Sequence, residues 1–308
     1  MKIAFFEIKL EEKVFFEEAL PLHELFFFTE TINSSLMLTQ EYEVISIFVH
    51  SSITEDILEK LPRLKYLQTR STGYDHIKCR SLYKRGLLLS NVAGYGGPAV
   101  AEFSFSLLLN ATRMTNIALE RTKHDDLRYD DLKGVELYGK SIGILGLGTI
   151  GSQMARIAYG LGMRVLAFSR TRNAIVDELK IDFCALEKLY AESDIIMLAL
   201  PLTPATHYIL NQGNVDLLKE DAIVINTARA ELIEEILYEK MGHKFGLDVI
   251  SDTKHIHQKN ILYTPHMAYY TEEALERIMQ ISLKNIEAFL AEEALPNCLK
   301  LPCEKDYQ

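Results

Sequence analysis

The sequence is short of several things, and each shortage removes a class of function. Basic residues are outnumbered, 33 Lys and Arg against 43 Asp and Glu, for a formal charge of -10. Nucleic-acid surfaces and anionic membranes call for basic patches, so neither is expected as a partner. A small anion held by one local arginine is compatible with that balance. The four cysteines, Cys79, Cys184, Cys298 and Cys303, show no CxxC or other metal spacing and read as reduced cytosolic thiols. No apolar run is long enough to span a bilayer. The opening MKIAFFEIKLEEK meets charge too early for a secretory signal. There is no low-complexity tract and no internal repeat. The expectation is a soluble, cytoplasmic protein.

What is present is alternation. At 308 residues and 48% hydrophobic, the chain exceeds what one small core needs, which points to two domains. Apolar runs at 2–7, 24–29, 44–49, 64–69 and 87–92 read as strands, with helical patterns such as TEDILEKL (54–61) between them. This predicts a parallel sheet with helices on its faces. AGYGGP (93–98) breaks the pattern, and a long apolar helix at 99–122 follows, read as bridging two domains. A second block offers strands at 141–146, 164–169, 194–200, 222–226, 245–250 and 260–264. Their near-continuous apolar character marks strands buried on both faces. An amphipathic helix spans 271–293, and pattern alone does not assign it to either sheet.

KSIGILGLGTIG (140–151) carries Gly146-x-Gly148-x-x-Gly151 between an apolar strand and a helix that opens with Thr149 and Ile150. In that setting the glycines allow a tight turn and bring the backbone close to a pyrophosphate at the helix N-terminus. The competing reading is a tight strand-to-helix turn without a ligand. An NAD site would place an acid at the end of the next strand. Here Ser169-Arg170-Thr171-Arg172 stands there, and no acid appears before Asp177. A hydroxyl with guanidinium groups suits a 2′-phosphate, so the cofactor expectation is NAD(P) leaning to NADP. The alternative is that these arginines line a solvated turn.

AIVINTARAELIEE (222–235) sets Arg229 just past a buried strand. A cation at a helix start is unfavourable unless something negative shares the site. Either Glu231, Glu234 and Glu235 neutralise it, or it receives an anion from outside. Asp248 closes FGLDV and His266 follows NILYTP, so both fall with Arg229 and the glycine loop at the carboxyl edge of one sheet. An imidazole titrates near neutrality and suits proton transfer to an alkoxide formed by hydride attack. His255-x-His257 lacks a third ligand, and no metal is expected.

RSTGYDHI (70–77), NVAGYGGPAVAEF (91–103), GILGLGTIG (143–151), INTAR (225–229), GLDV (246–249) and TPHMAYYT (264–271) are spread over nearly the whole chain. On these motifs it resembles the D-isomer-specific 2-hydroxyacid dehydrogenase family, and within it looks most like the D-lactate dehydrogenases. The resemblance implies an α/β protein of two doubly wound parallel-sheet domains. A flavodoxin-like substrate domain would comprise 1–96 with 272–308, and a Rossmann-like cofactor domain 97–271. The active site would lie between them, the helix at 99–122 would cross from one to the other, and the C-terminal helix would return to the first. A homodimer joined through the cofactor domains is implied as well.

By the same resemblance, Ser71, Thr72 and Gly73 would offer backbone N–H groups to a substrate carboxylate, with Tyr95 and Tyr269 lining the pocket. Arg229 would clamp the carboxylate and the carbonyl oxygen, and His266 would donate the proton. Thr227 and Ala228 would lie along the cofactor, and Asp248 would contact the nicotinamide amide. One departure stands out. The family has a glutamate five residues beyond the aspartate of GLDV, as partner of the histidine; here that residue is Thr253, with Asp252 one place earlier. The segments flanking Asp248 are also shorter than the family's usual lengths. Either Asp252 takes the glutamate's role or the dyad is incomplete. The implied activity is NAD(P)H-dependent reduction of a small 2-oxo acid, pyruvate first, to the D-2-hydroxy acid, and the reverse oxidation. A glyoxylate or hydroxypyruvate reductase is the second enzymatic reading. A non-catalytic dinucleotide-sensing protein on the same fold is the reading from another class.

Overall fold

The computed structural model describes residues 1–35, 40–77, 82, 85–239 and 244–299; Cys79 and Cys303 lie outside them. The chain divides into two compact units, Met1–Tyr95 with the segment from Glu272 onward, and Gly96–Thr271. Among the described residues, no helix is long and apolar enough to cross a membrane.

The first unit holds a parallel sheet of β1 (Lys2–Phe5), β2 (Glu24–Phe27), β3 (Val44–Ile47), β4 (Tyr66–Thr69) and β5 (Leu88–Ser90), in the order β2-β1-β3-β4-β5. Helices α1 (Leu10–Ala19) and α2 (Glu55–Glu59) belong to this unit. β3 and β4 are buried at every position because helices cover both sheet faces. Phe5 stacks on Phe16 at 4.5 Å between ring centroids, in a core shared with Ile3, Val44, Tyr66 and Ile286. Each such side chain taken from water contributes on the order of 2 kcal/mol.

The second unit holds β6 (Ser141–Leu145), β7 (Arg164–Phe168), β8 (Asp182–Phe183), β9 (Ile195–Leu198), β10 (Ile223–Asn226), β11 (Lys244–Leu247) and β12 (Ile261–Tyr263). They form one parallel sheet in the order β12-β11-β10-β9-β6-β7-β8. The order reverses beside β6, which is where doubly wound sheets open a ligand crevice.

The expected helix over 99–122 is two helices, α3 (Gly97–Arg113) and α4 (Thr115–Thr122). Met114 between them is left-handed, with φ 52°. The Asn110 side chain caps the second piece, its Oδ1 accepting from Thr115 Oγ1 and the Asn116 N–H, both at 3.0 Å. Both helices belong to the second unit, where α3 packs on β10, β11 and α5 (Thr149–Gly160). Among the described residues this unit has two further short α-helices, α6 (Ile175–Glu178) and α7 (Leu186–Glu192).

Between β10 and β11 the described chain forms only 3-10 turns, Ala230–Leu232 and Glu235–Glu239. Leu232, Ile233, Leu237 and Tyr238 cover the sheet there in place of a crossover helix. The final helix, α8 (Glu272–Leu290), belongs to the first unit. It is tied there by Gln68 Nε2 donating to Ser282 O (3.1 Å) and Asn285 Nδ2 donating to Asn91 O (2.9 Å).

Candidate active site

All strands of the second unit run parallel, so the chain leaving β6, β10, β11 and β12 emerges at one edge. There it carries the glycine loop, Arg229, Asp248 and His266. Gly146 has φ 99°, and a Cβ on it would lie 2.6 Å from Ala199 O. A Cβ on Gly151 would lie 1.8 Å from Gly146 O, so the helix packs directly on the turn. Gly148 differs, because a Cβ there would meet nothing within 4 Å. It is the N-cap of α5, and no side chain caps that helix. The first-turn N–H groups at Thr149 and Ile150 are therefore left to an outside acceptor. Bare backbone facing open space at a helix N-terminus fits a dinucleotide pyrophosphate.

Past β7, Ser169 is half-buried, and Arg170, Thr171 and Arg172 are exposed. Arg172 donates to Asp177 Oδ1 (2.5 Å) and lies over the Phe183 ring, 6.0 Å from its centroid. Arg170 has no partner among the described residues. Asn173 ties this turn to the glycine loop, donating to Leu147 O (2.6 Å) and Ser152 Oγ (3.3 Å). Sequence reading passed over it, although an Asn ending such a turn is a recognisable signal.

Arg229 begins no α-helix. Its backbone is extended (φ -142°, ψ 141°) ahead of a 3-10 turn, and Nη1 donates to Ala228 O at 2.8 Å. Asn226, buried at the strand end, builds the turn that presents it. Its Oδ1 accepts the Ala228 N–H (3.0 Å), and its Nδ2 donates to Arg229 O (2.7 Å). Two of the neighbouring glutamates accept hydrogen bonds from elsewhere. Glu234 accepts from Gln212 N (2.8 Å) and Nε2 (3.1 Å), and Glu235 from Ser251 Oγ (2.9 Å). Thr227 shares a hydroxyl hydrogen bond with Ser104 of α3 at 2.8 Å.

Asp248 is 0% exposed. Its Oδ1 accepts from Thr264 Oγ1 (2.6 Å) and the Met267 N–H (3.0 Å), and its Oδ2 from the Ala268 N–H (2.8 Å). These bonds fold 264–268 into the loop that carries His266, whose φ is 54°. A left-handed backbone is uncommon outside glycine, and here the surroundings over-determine it. The His266 N–H is shared between Asp248 O and Thr264 O, each at 2.9 Å. Asp248, implied at the nicotinamide amide, thus has its carboxylate engaged within the histidine loop. The exposed His266 imidazole has the Tyr269 ring edge-on at 6.5 Å.

Asp252 makes its bonds within its own turn. It caps the 3-10 turn Thr253–His255, its Oδ1 accepting the Lys254 N–H at 2.9 Å and its Oδ2 lying 3.1 Å from Lys254 Nζ. That N–H, then the ammonium, hold its carboxyl below the ordinary carboxylate range. His255 is buried and bonded through Nδ1 to Gln258 Nε2 at 2.9 Å.

In the first unit, RSTG leaves the carboxyl end of β4. Ser71 Oγ donates to Gly73 O (2.6 Å), Thr72 Oγ1 donates to Val92 O (3.0 Å), and Asn91 Nδ2 donates to Thr72 O (2.7 Å). The loop is fixed through its oxygens, and the Thr72 and Gly73 N–H groups have no acceptor among the described residues. Tyr95 is 7% exposed, and its carbonyl accepts from Arg277 Nε at 2.8 Å.

These features correspond to one family. Residues 105–268 match the family described as D-isomer specific 2-hydroxyacid dehydrogenase, NAD binding domain. D-lactate dehydrogenase of Escherichia coli strain K12 is 30% identical over 327 residues, covering 96% of this chain and 99% of that protein. Glyoxylate reductase of Pyrococcus furiosus is 32% identical over 262 residues, covering 79% of this chain and 78% of that protein. Among solved structures, D-lactate dehydrogenase from Aquifex aeolicus complexed with NAD and lactic acid superposes with a TM-score of 0.89. It is 30% identical and covers 98% of this chain and 100% of that one. The chain belongs to the D-isomer-specific 2-hydroxyacid dehydrogenase family. It is an enzyme of nicotinamide-dependent interconversion between 2-oxo acids and D-2-hydroxy acids.

Proposed function

We propose that this enzyme reduces pyruvate to D-lactate with NADPH in preference to NADH, and catalyses the reverse oxidation. The observation that carries the reading is the shared sheet edge of the second unit, where an arginine after β10 and a histidine after β12 lie on the same side of the glycine-rich helix N-terminus that follows β6. When bound, the reduced nicotinamide supplies the hydride that converts a carbonyl to an alkoxide. Arg229 would hold the substrate carboxylate and the carbonyl oxygen with its planar fork. His266 would give the alkoxide its proton, oriented by the loop that Asp248 builds. The N–H groups of the 71–73 loop would bind the carboxylate, and Tyr95 and Tyr269 would bound the side-chain pocket.

The NADPH preference rests on Ser169 in place of an acid and on Arg170. Arg172 already has a carboxylate partner, so Arg170 is the better 2′-phosphate ligand. Glyoxylate is the second substrate in order, a reading supported by the glyoxylate reductase relative. A homodimer is also part of the proposal. Leu119, Leu127, Tyr129 and Tyr138 expose 65–79% of their surface along one segment of the second unit, which supports an interface there. The test is initial-rate kinetics with pyruvate, glyoxylate, hydroxypyruvate and phenylpyruvate, each with NADH and NADPH. The highest kcat/KM should fall to pyruvate with NADPH. Turnover of none of the four would refute the reading.

A further inference from the structure

One strongly charged group in the first unit has no place in the chemistry described so far. Arg70 stands immediately before Ser71, and its side chain turns inward, 1% exposed. Its guanidinium joins the chain just past β1 to β3. Nη2 donates to Phe6 O (2.8 Å) and Glu7 O (2.9 Å), and Nη1 donates to Ser46 O and Ser46 Oγ (both 3.2 Å). Its Nε has no hydrogen-bond partner.

Two carboxylates, Glu12 and Glu7, act on its charge, and neither makes a hydrogen bond to the guanidinium. Glu12 Oε1 lies 4.0 Å from Nε, the limit of ion-pair reach, while Glu12 Oε2 accepts the Lys9 N–H at 2.7 Å. The Glu7 carboxylate accepts the N–H groups of Phe48 (3.1 Å), His50 (2.9 Å) and Ser51 (2.9 Å). Four neutral oxygens therefore carry the contacts of a buried cation. Desolvation of a guanidinium is costly, and a well-packed apolar side chain holds a core at least as well, so its retention calls for a reason beyond stability. The reason is next door in the chain: a loop whose Thr72 and Gly73 N–H groups are unserved.

We propose that Arg70 is a positioning residue of the substrate-carboxylate site. It anchors the base of the 71–73 loop to Phe6, Glu7 and Ser46, and sets a cation held mainly by neutral oxygens one residue before the N–H groups that receive the carboxylate. This rests on the 2-oxo acid reading above and specifies what makes that loop an anion site. Glu12, the carboxylate facing Arg70 Nε, opposes it.

The test compares Arg70→Met, Arg70→Lys and Glu12→Gln in the full-length enzyme. The readouts are KM for pyruvate, Ki for oxamate (a non-reducible isostere of pyruvate that keeps its carboxylate), kcat, and cofactor Kd. Arg70→Met should raise KM and Ki together by about tenfold or more. Arg70→Lys should raise them less, because the charge stays. Glu12→Gln keeps an acceptor for the Lys9 N–H and should lower both about two- to threefold. In all three, kcat should stay within about threefold and cofactor Kd should be unchanged. A purely structural clip would give Met and Lys the same penalty and no tightening in Glu12→Gln; that pattern overturns the proposal. If Arg70→Met does not fold, the Lys and Gln variants decide by the same signs. Wild-type enzyme that reduces no 2-oxo acid and binds no oxamate removes the underlying reading. Wild-type activity with unchanged variants overturns the Arg70 inference alone.

Discussion

Asp248→Asn changes one atom in the loop that carries His266, and its cost can be worked out from the bonds. Three donors surround the carboxylate: Thr264 Oγ1, Met267 N and Ala268 N. An amide can present its oxygen to the first two, and its NH2 then faces the Ala268 N–H. One charge-assisted hydrogen bond is lost, about 1.5–3 kcal/mol, and a buried N–H is left unpaired, about 1–3 kcal/mol. The sum is roughly 3 kcal/mol or more of stability. The catalytic effect stems from the left-handed backbone of His266, a conformation that costs about 1–2 kcal/mol without support. Once the loop relaxes, the imidazole shifts, and a displacement near 1 Å costs on the order of 10²-fold in rate. Urea unfolding and steady-state reduction of pyruvate should show both losses, with cofactor Kd changed by less than about threefold. Thr264→Val should lose about 1 kcal/mol alone and less than that in the Asp248→Asn background, because the two share one bond. Wild-type stability and kcat in Asp248→Asn would refute this account of the loop.

Arg229→Lys keeps the charge and loses the fork, so kcat/KM for pyruvate should fall by about 10²-fold or more with cofactor affinity unchanged; near wild-type turnover would remove Arg229 from the clamp. Arg170→Ala should raise KM for NADPH far more than for NADH, while Arg172→Ala, whose guanidinium is held by Asp177, should change both little. Equal effects of Arg170→Ala on the two cofactors would return that turn to solvent. Asp252→Asn should leave the pH dependence of pyruvate reduction where it is in the wild type, because that carboxylate serves Lys254. A fall-off displaced to lower pH would put Asp252 back beside the imidazole, since losing a carboxylate lowers the pH range over which a histidine stays protonated.

Much of the fold was legible because buried parallel strands are near-continuous apolar runs, and VISIF or AIVIN has few other places to be. β8 was missed because two residues, Asp182 and Phe183, are too few and too polar to make a run. The break at Met114 was missed because it depends on the Asn110 side chain capping α4, a contact that apolar periodicity does not register. At the site, Arg229 and His266 could be read from motifs at strand ends. The role of Asp248 could not, since its donors stand 16 to 20 residues further on and meet it only in the fold. The local bonds of Asp252 were legible too. An Asp two residues before a lysine N–H is a local turn pattern. Arg70 gave no signal beyond its motif, because burial of a cation is visible only in three dimensions.

The central claim is hydride transfer to C2 of a 2-oxo acid with D stereochemistry. Its most direct test monitors pyruvate reduction with cofactor deuterated at the transferring position of the nicotinamide ring, with the lactate resolved on a chiral column and weighed by mass spectrometry. The account predicts D-lactate carrying one deuterium at C2, formed by the wild type and about 10²-fold more slowly by Arg229→Lys. L-lactate, unlabelled lactate, or no lactate at all would contradict it.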